Sequence, residues 1–303
     1  MVKIAVIGDI HDFWDDWDVE YFNASNYQCM LFVGDLGAWT NSEPTAKKLG
    51  ALTRPALMIP GNHDACSLVQ FIAELKHAKG LARVFSCGQK RRVRKLARNL
   101  GPVTLGGYSL HPFDFDNTPF AVICARPHAM GGDRIYYQPY LKREFRIHDW
   151  QSSFERMRAL IDQAPDDILF LAHNGPSGLG GEPGAIWGCD FDPAKGDFGD
   201  PDLRMAIDYA RDAGKRVLAV MAGHMHLRAK TTRRVRDWHQ LRDGTAYINA
   251  AQVPRIVTRG QQRWHHHVRL RLQGDGLVSE TVWVNEHGEE RVHDSDTPAQ
   301  RPE

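Results

Sequence analysis

Short apolar runs recur along the chain, and most of them end in glycine and a polar side chain. Val2–Ile7, Cys29–Val33, Ala56–Ile59, Val103–Leu105, Phe120–Cys124, Ile168–Leu171 and Val217–Met221 are too short for helices and read as strands. Several are apolar throughout, as expected of strands covered on both faces. Helical spacing fills the intervals. Cys66–His77 sets Leu68, Phe71, Ile72 and Leu75 on one face, and Asp149–Gln163 and Asp202–Ala213 repeat the pattern, with Pro201 suited to the first turn of the latter. The C-terminal third changes character. Thr245–Asn249, His265–Leu272 and Leu277–Val284 read as antiparallel strands, and QGDG at 273–276 is a hairpin turn signal.

Mixed strand and helix followed by mostly strand predicts an α/β sandwich, two packed sheets flanked by helices, in one domain over 1–285. The stretch 126–190 is expected to supply cap or pocket loops. Residues 286–303 are polar and aperiodic and read as a disordered tail.

Composition narrows the class. The 303 residues suffice for a sizeable core, and a net charge of +1 gives no overall field toward nucleic acid or a membrane. No apolar stretch approaches the ~18–20 residues of a membrane span. The opening MVKIAVIGD reads as a first strand, its apolar run being too short for a signal peptide. Cys29, Cys66, Cys87, Cys124 and Cys189 are scattered and lack any C-x-x-C pair, which suits reduced thiols in a cytoplasmic protein. Fifteen histidines make a metal worth seeking.

The chemistry sits at the strand ends. Val2–Ile7 runs into Asp9 and His11, Cys29–Val33 into Asp35, and Ala56–Ile59 into Asn62, His63 and Asp64. Ile168–Leu171 runs into His173, and Val217–Met221 into His224 and His226. Ligand sites in α/β sheets gather at that carboxyl edge. Taken singly, D-x-H or G-H-x-H is a common turn or surface pattern; five such blocks in order, all at strand ends, are not. Oxygen and imidazole donors without thiolate suit Mn, Fe or Zn. Seven of these groups, Asp9, His11, Asp35, Asn62, His173, His224 and His226, suit two divalent ions sharing a carboxylate, and Asp35, alone on a central strand, is the natural bridge.

In that order, Asp9-x-His11, Gly34-Asp35, Gly61-Asn62-His63-Asp64, His173 and Gly223-His224-x-His226 resemble the calcineurin-like metallophosphoesterase superfamily. The resemblance implies a four-layer αββα sandwich with a dinuclear metal centre. It places Asp9, His11 and His226 on one ion, Asn62, His173 and His224 on the other, and Asp35 between them. It makes His63 a proton donor to the leaving group, with Asp64 accepting from the other His63 nitrogen. AHNGPSGLG, KGDFGDPDL, ARPHAMGG and INAAQVPRI further resemble a cyanobacterial and plastid branch, which gives no substrate.

The implied reaction is metal-dependent phosphoester hydrolysis, with a small phosphorylated metabolite as the leading substrate. A phosphodiesterase or nuclease on the same site and a non-catalytic interaction module are the other readings. No P-loop is present.

Other signals point less sharply. QKRRVRKLAR at 89–98 suits a solvated basic loop or hairpin better than a nucleic-acid groove. Arg126, Cys189 and Asp190 are candidate substrate contacts, Arg126 more ordinarily an ion-pair partner. Phe13, Trp14 and Trp39 follow metal blocks and suit loop packing or stacking on a substrate ring. His265–His267 read as surface histidines. The chain leaves oligomeric state open.

Overall fold

The computed structural model describes residues 1–229, 235–274 and 276–294. In chain order these form β1 (Val2–Ile7), α1 (Asp16–Ala24), β2 (Cys29–Phe32), α2 (Glu43–Leu49), β3 (Ala56–Met58), α3 (Leu68–Leu75), α4 (Lys79–Phe85), α5 (Gln89–Asn99), β4 (Thr104–Leu105), β5 (Ser109–Phe115) and β6 (Thr118–Cys124). There follow α6 (Gln138–Phe145), α7 (Trp150–Ile161), β7 (Asp167–Leu171), α8 (Pro201–Asp212), β8 (Arg216–Ala222), β9 (His239–Arg242), β10 (Thr245–Asn249), β11 (Ile256–Arg259), β12 (Gln262–Gln273), β13 (Gly276–Asn285) and β14 (Glu290–Asp294).

One sheet has the order β14-β13-β12-β1-β2-β3-β4, with β11 paired to β12, and the other β5-β6-β7-β8-β10-β9. Strand alternation then makes the layers. Ile4, Val6, Leu31 and Leu57 from the first sheet meet Phe120, Val122, Leu169 and Met221 from the second in a core between the sheets. The opposite faces carry Ala5, Ile7, Met30 and Phe32 against Phe22, Leu49 and Leu96 of α1, α2 and α5. On the far side Ile123, Phe170 and Val220 pack on Met157, Ile161, Leu203 and Ile207 of α7 and α8. This is the four-layer αββα sandwich, and it explains why central strands are apolar on both faces. Truncating Leu171 to alanine in the inter-sheet core would cost about 2–5 kcal/mol.

Local signals set the ends of several helices. Asp149 caps α7, its side chain accepting from Ser152 N at 2.7 Å while Ser152 Oγ accepts from Asp149 N. Pro201 opens α8.

Four expectations change. Thr245–Asn249 runs parallel to β8 and antiparallel only to β9. The basic stretch 89–98 is helical, because Leu96 at helical spacing seats α5 on the first sheet. Within the segment read as a disordered tail, Glu290–Asp294 forms β14 against β13; its charged side chains suit an edge strand, which needs no apolar face. Residues 295–303 lie outside the described set. The α3 stripe is mostly uncovered: Phe71 is buried, while Leu68, Ile72 and Leu75 remain nearly half exposed.

Candidate metal centre

Five parallel-strand ends bring the polar blocks together. Gly223 lets β8 pass so close to Asp9 that a Cβ there would lie 2.2 Å from Asp9 Oδ1, and at Gly61 the same atom would lie 2.2 Å from Asp35 Oδ1. Asp9, His11, Asp35 and His224 all adopt positive φ, between 27° and 65°. Side chains other than glycine seldom tolerate that region, and such strain collects at functional sites. His11 N donates to Asp35 O at 2.9 Å, tying the first two loops together.

Two clusters result. Ligand atoms of Asp9, His11 and His226 lie within 4.8 Å of one another, as do those of Asp35, His173 and His224. Asn62 Oδ1 sits 2.8 Å from His173 Nε2 and 2.9 Å from His224 Nδ1, joining the second group. Asp35 Oδ2 lies 3.5 Å from His173 Nε2 and 3.8 Å from His11 Nε2, so it faces both groups.

The outward nitrogens show what the clusters lack. His173 Nδ1 donates to the Val33 carbonyl at 2.7 Å, so the lone pair of the neutral ring is on Nε2, facing Asn62 and Asp35 oxygens. His11 Nδ1 lies 3.2 Å from the Gly37 carbonyl, leaving its Nε2 against His226 Nε2 at 3.1 Å. Acceptors therefore converge on acceptors. In the protein alone, protons settle the conflict. Burial alone would lower His173, but the Asp35 and Asp9 carboxylates and the Val33 carbonyl bring it up to about 10. Burial and the neighbouring His173 charge push His224 down to about 3. Burial works against ionised Asp35, yet the surrounding imidazoles hold it well below the usual carboxylate range. Among the described residues no Lys or Arg pairs with Asp9 or Asp35, so divalent cations fit these groups: they satisfy the converging lone pairs and balance both carboxylates.

His63 belongs to neither cluster. Its Nε2 lies 4.0 Å from Asp35 Oδ2, and its ring packs between His11 and Phe71 with centroids 5.3 and 4.6 Å away. The expected Asp64 contact is absent: His63 Nδ1 is buried with no hydrogen-bond partner. Asp64 instead accepts from Asp35 N at 2.8 Å, Gly61 N at 2.9 Å, Leu36 N at 3.1 Å and Ser42 Oγ at 2.5 Å. It locks the loop carrying Asp35 to the loop carrying Asn62, because the tight turn at Gly61 points its carboxylate back into the sheet edge.

Other candidates separate. Arg126 is buried, paired with Asp200 and Asp202 and stacked 5.0 Å over Trp150, so it ties α8 and α7 to β6 and does not reach the cleft. Cys189 is buried beneath the cleft loop, and burial raises its thiol. Asp190 does line the cleft, held by Arg236 Nη2 at 3.1 Å. His265–His267 are buried, contrary to the surface reading, because β12 is an inner strand of its sheet. Trp14 packs on Phe22 and Phe32, whereas Phe13 and Trp39 line the cleft.

The cleft over the centre has a volume of about 890 Å³. Phe71, Tyr136, Phe191 and Phe198 make its walls, and among the described residues Lys195 and Arg228 are its Lys/Arg groups. From the stretch 126–190 come only Met130, Tyr136 and Asp190, and α7 belongs to the outer helical layer, not to a cap. Lys195, which lies 5.6 Å over the Phe191 ring, lay within the KGDFGDPDL stretch. His128, whose Nδ1 donates to the Gly61 carbonyl at 2.9 Å, lay within the ARPHAMGG stretch.

The chain belongs to the calcineurin-like phosphoesterase family, matched over residues 2–228. Its fold is similar to that of TT1561 of Thermus thermophilus, at a TM-score of 0.50 and 10% identity, with 97% of this chain and 99% of that one covered. It also resembles Vps29 of Entamoeba histolytica, solved with zinc, at a TM-score of 0.40 and 10% identity over 97% and 99% of the two chains. No curated protein matches the chain.

Proposed function

We propose that this protein is a metal-dependent phosphatase for a small phosphorylated molecule with an apolar or aromatic organic part. One observation carries the choice of small molecule over polymer. The cleft is walled by aromatic residues from several loops, and no residue of the basic helix α5 lines it. A nucleic-acid groove would instead need a row of cations along the backbone path.

Asp9, His11 and His226 would hold one divalent ion, Asn62, His173 and His224 the other, with Asp35 shared. Bound there, two such ions supply an acidified water and neutralise phosphate charge. Asp64 keeps the Asp35 and Asn62 loops in register. His63 sits at the cleft edge of the centre, where a protonated imidazole donates to the departing oxygen. Phe71 packs on that ring and restricts its rotation. Mn, Fe and Zn all suit the donor set. The free thiols of all five cysteines support a reducing, cytoplasmic setting. Among the described residues no helix is long and apolar enough to cross a membrane.

A non-catalytic interaction module is disfavoured by the intact ligand set beside His63. The test is metal analysis of the purified protein, then turnover of aryl phosphomonoesters, phosphodiesters and single-stranded oligonucleotides with Mn²⁺ added. Monoester turnover above diester turnover is expected. Preference for oligonucleotides would support the nuclease reading, and bound metal with no hydrolysis of any substrate would support the interaction module.

A further inference from the structure

Two short helices beside the cleft expose an apolar face that nothing among the described residues covers. Leu68, Val69 and Ile72 are each 48% exposed on α3, and Leu75 46%. On α4, Leu81 is 53% and Val84 63% exposed. On the inward side of the same hairpin Phe71, Ala73 and Ala82 are buried, and Gln70 bonds Gln89 at 2.5 Å. The spacing Leu68, Ile72, Leu75 is that of one helical stripe, here facing outward.

Charge narrows what could cover it. Between residues 65 and 98 the only acidic residue is Glu74, and it is buried; the same stretch holds nine Lys and Arg. Lys90 and Lys95 are paired with Glu144 and Glu43, but Lys76, Lys79 and Arg83 are exposed among the apolar side chains. A second copy meeting this face about a two-fold axis would bring both sets of cations together, which is repulsive. We infer that the α3–α4 hairpin docks on an anionic lipid surface. Leucine, isoleucine and valine enter the headgroup–acyl boundary while Lys76, Lys79 and Arg83 stay at headgroup level, the arrangement of an interfacial amphipathic element.

The face runs into the cleft: Leu75 belongs to both, and Phe71 and His77 line the wall behind it. An amphiphilic phosphoester in the lipid layer would thus lie at the mouth of the metal centre. That last consequence rests on the phosphatase reading; the docking does not.

The experiment is flotation of the full chain with phosphatidylcholine vesicles, with and without phosphatidylglycerol, alongside turnover of a soluble aryl phosphate. The protein should float with the anionic vesicles and much less with the neutral ones. Ile72→Glu/Val84→Glu should abolish flotation and leave soluble turnover unchanged. Lys76→Gln/Lys79→Gln/Arg83→Gln should weaken partitioning by about fivefold per charge, on the order of a hundredfold together. Failure to float with anionic vesicles overturns the inference whether or not the protein hydrolyses anything. Equal flotation with neutral vesicles overturns its electrostatic half. A concentration-dependent dimer by light scattering that Ile72→Glu dissolves would assign the face to a second copy, and displacement from vesicles by polyglutamate that is insensitive to Ile72→Glu would assign the cations to an acidic polypeptide.

Discussion

Among the described residues two largely buried clusters of carboxylate and imidazole stand out, and they are built for different ends. One gathers Asp9, Asp35 and the histidines at the strand ends; the other gathers Asp15, Asp18 and His265, whose ligand atoms also lie within 4.8 Å of one another. By residue type both are metal sites. The second already has its cations. Arg255 reaches Asp18 with two nitrogens at 2.8 and 3.0 Å, and Arg263 reaches Asp15 at 2.5 Å. Burial opposes ionised Asp18, but the Arg255 guanidinium and His265 hold it down at about 2. At the strand ends imidazole lone pairs face oxygens with no guanidinium between them. The two clusters are alike in residue type and differ in charge balance: the second holds its cations in Arg255 and Arg263, and the first leaves its carboxylates to be balanced by ions.

Asp35→Asn strikes the comparison hardest. Removing the charge shared by both groups should reduce bound metal from two equivalents to one or none and abolish turnover. Two tightly bound equivalents in the purified mutant would show that Asp35 does not bridge.

His63→Asn should keep both ions and lose about 10²–10⁴-fold in turnover of an alkyl ester, with a much smaller loss for a p-nitrophenyl ester. Metal loss would make His63 a ligand, and equal losses on both esters would make it a phosphate-positioning group.

Arg255→Ala probes the other cluster. Leaving Asp18 buried without its partner should destabilise the fold by about 3–5 kcal/mol in denaturant titration. Metal content and turnover per folded molecule should stay as in the wild type. An additional bound ion in this mutant would confirm that arginine alone separates the clusters, and loss of metal from the strand-end cluster would break the comparison.

The smallest effect belongs to Asp64→Asn. Its amide NH₂ would face backbone N–H donors that the carboxylate now accepts from, costing about 1–3 kcal/mol of stability and loosening the Asp35 loop. Weaker metal affinity with equal losses on alkyl and aryl esters is the expected pattern. A loss confined to alkyl esters would return Asp64 to the role of His63's partner.

The candidate ligands, their order and the sheet edge at which they converge were legible in the residues, because they depend on local features. An apolar run, a glycine that permits a tight exit and a polar donor one or two positions later all lie within a few residues. The layered fold was legible for the same reason, since strands covered on both faces show as unbroken apolar runs. The partners of Arg126, Asp64 and His265 were not. Arg126 meets Asp202 across 76 residues and His265 meets Asp18 across 247, and no local spacing records such a meeting. The direction of β10, the strand formed by 290–294 and the uncovered face of α3 were likewise settled only by packing. Periodicity shows that a helix has an apolar stripe, but only the assembled layers decide whether that stripe meets the core or the solvent. By itself the sequence determined which side chains could hold metal; tertiary structure decided which carboxylates were already neutralised, because charge balance in a folded interior is set by neighbours distant in the chain.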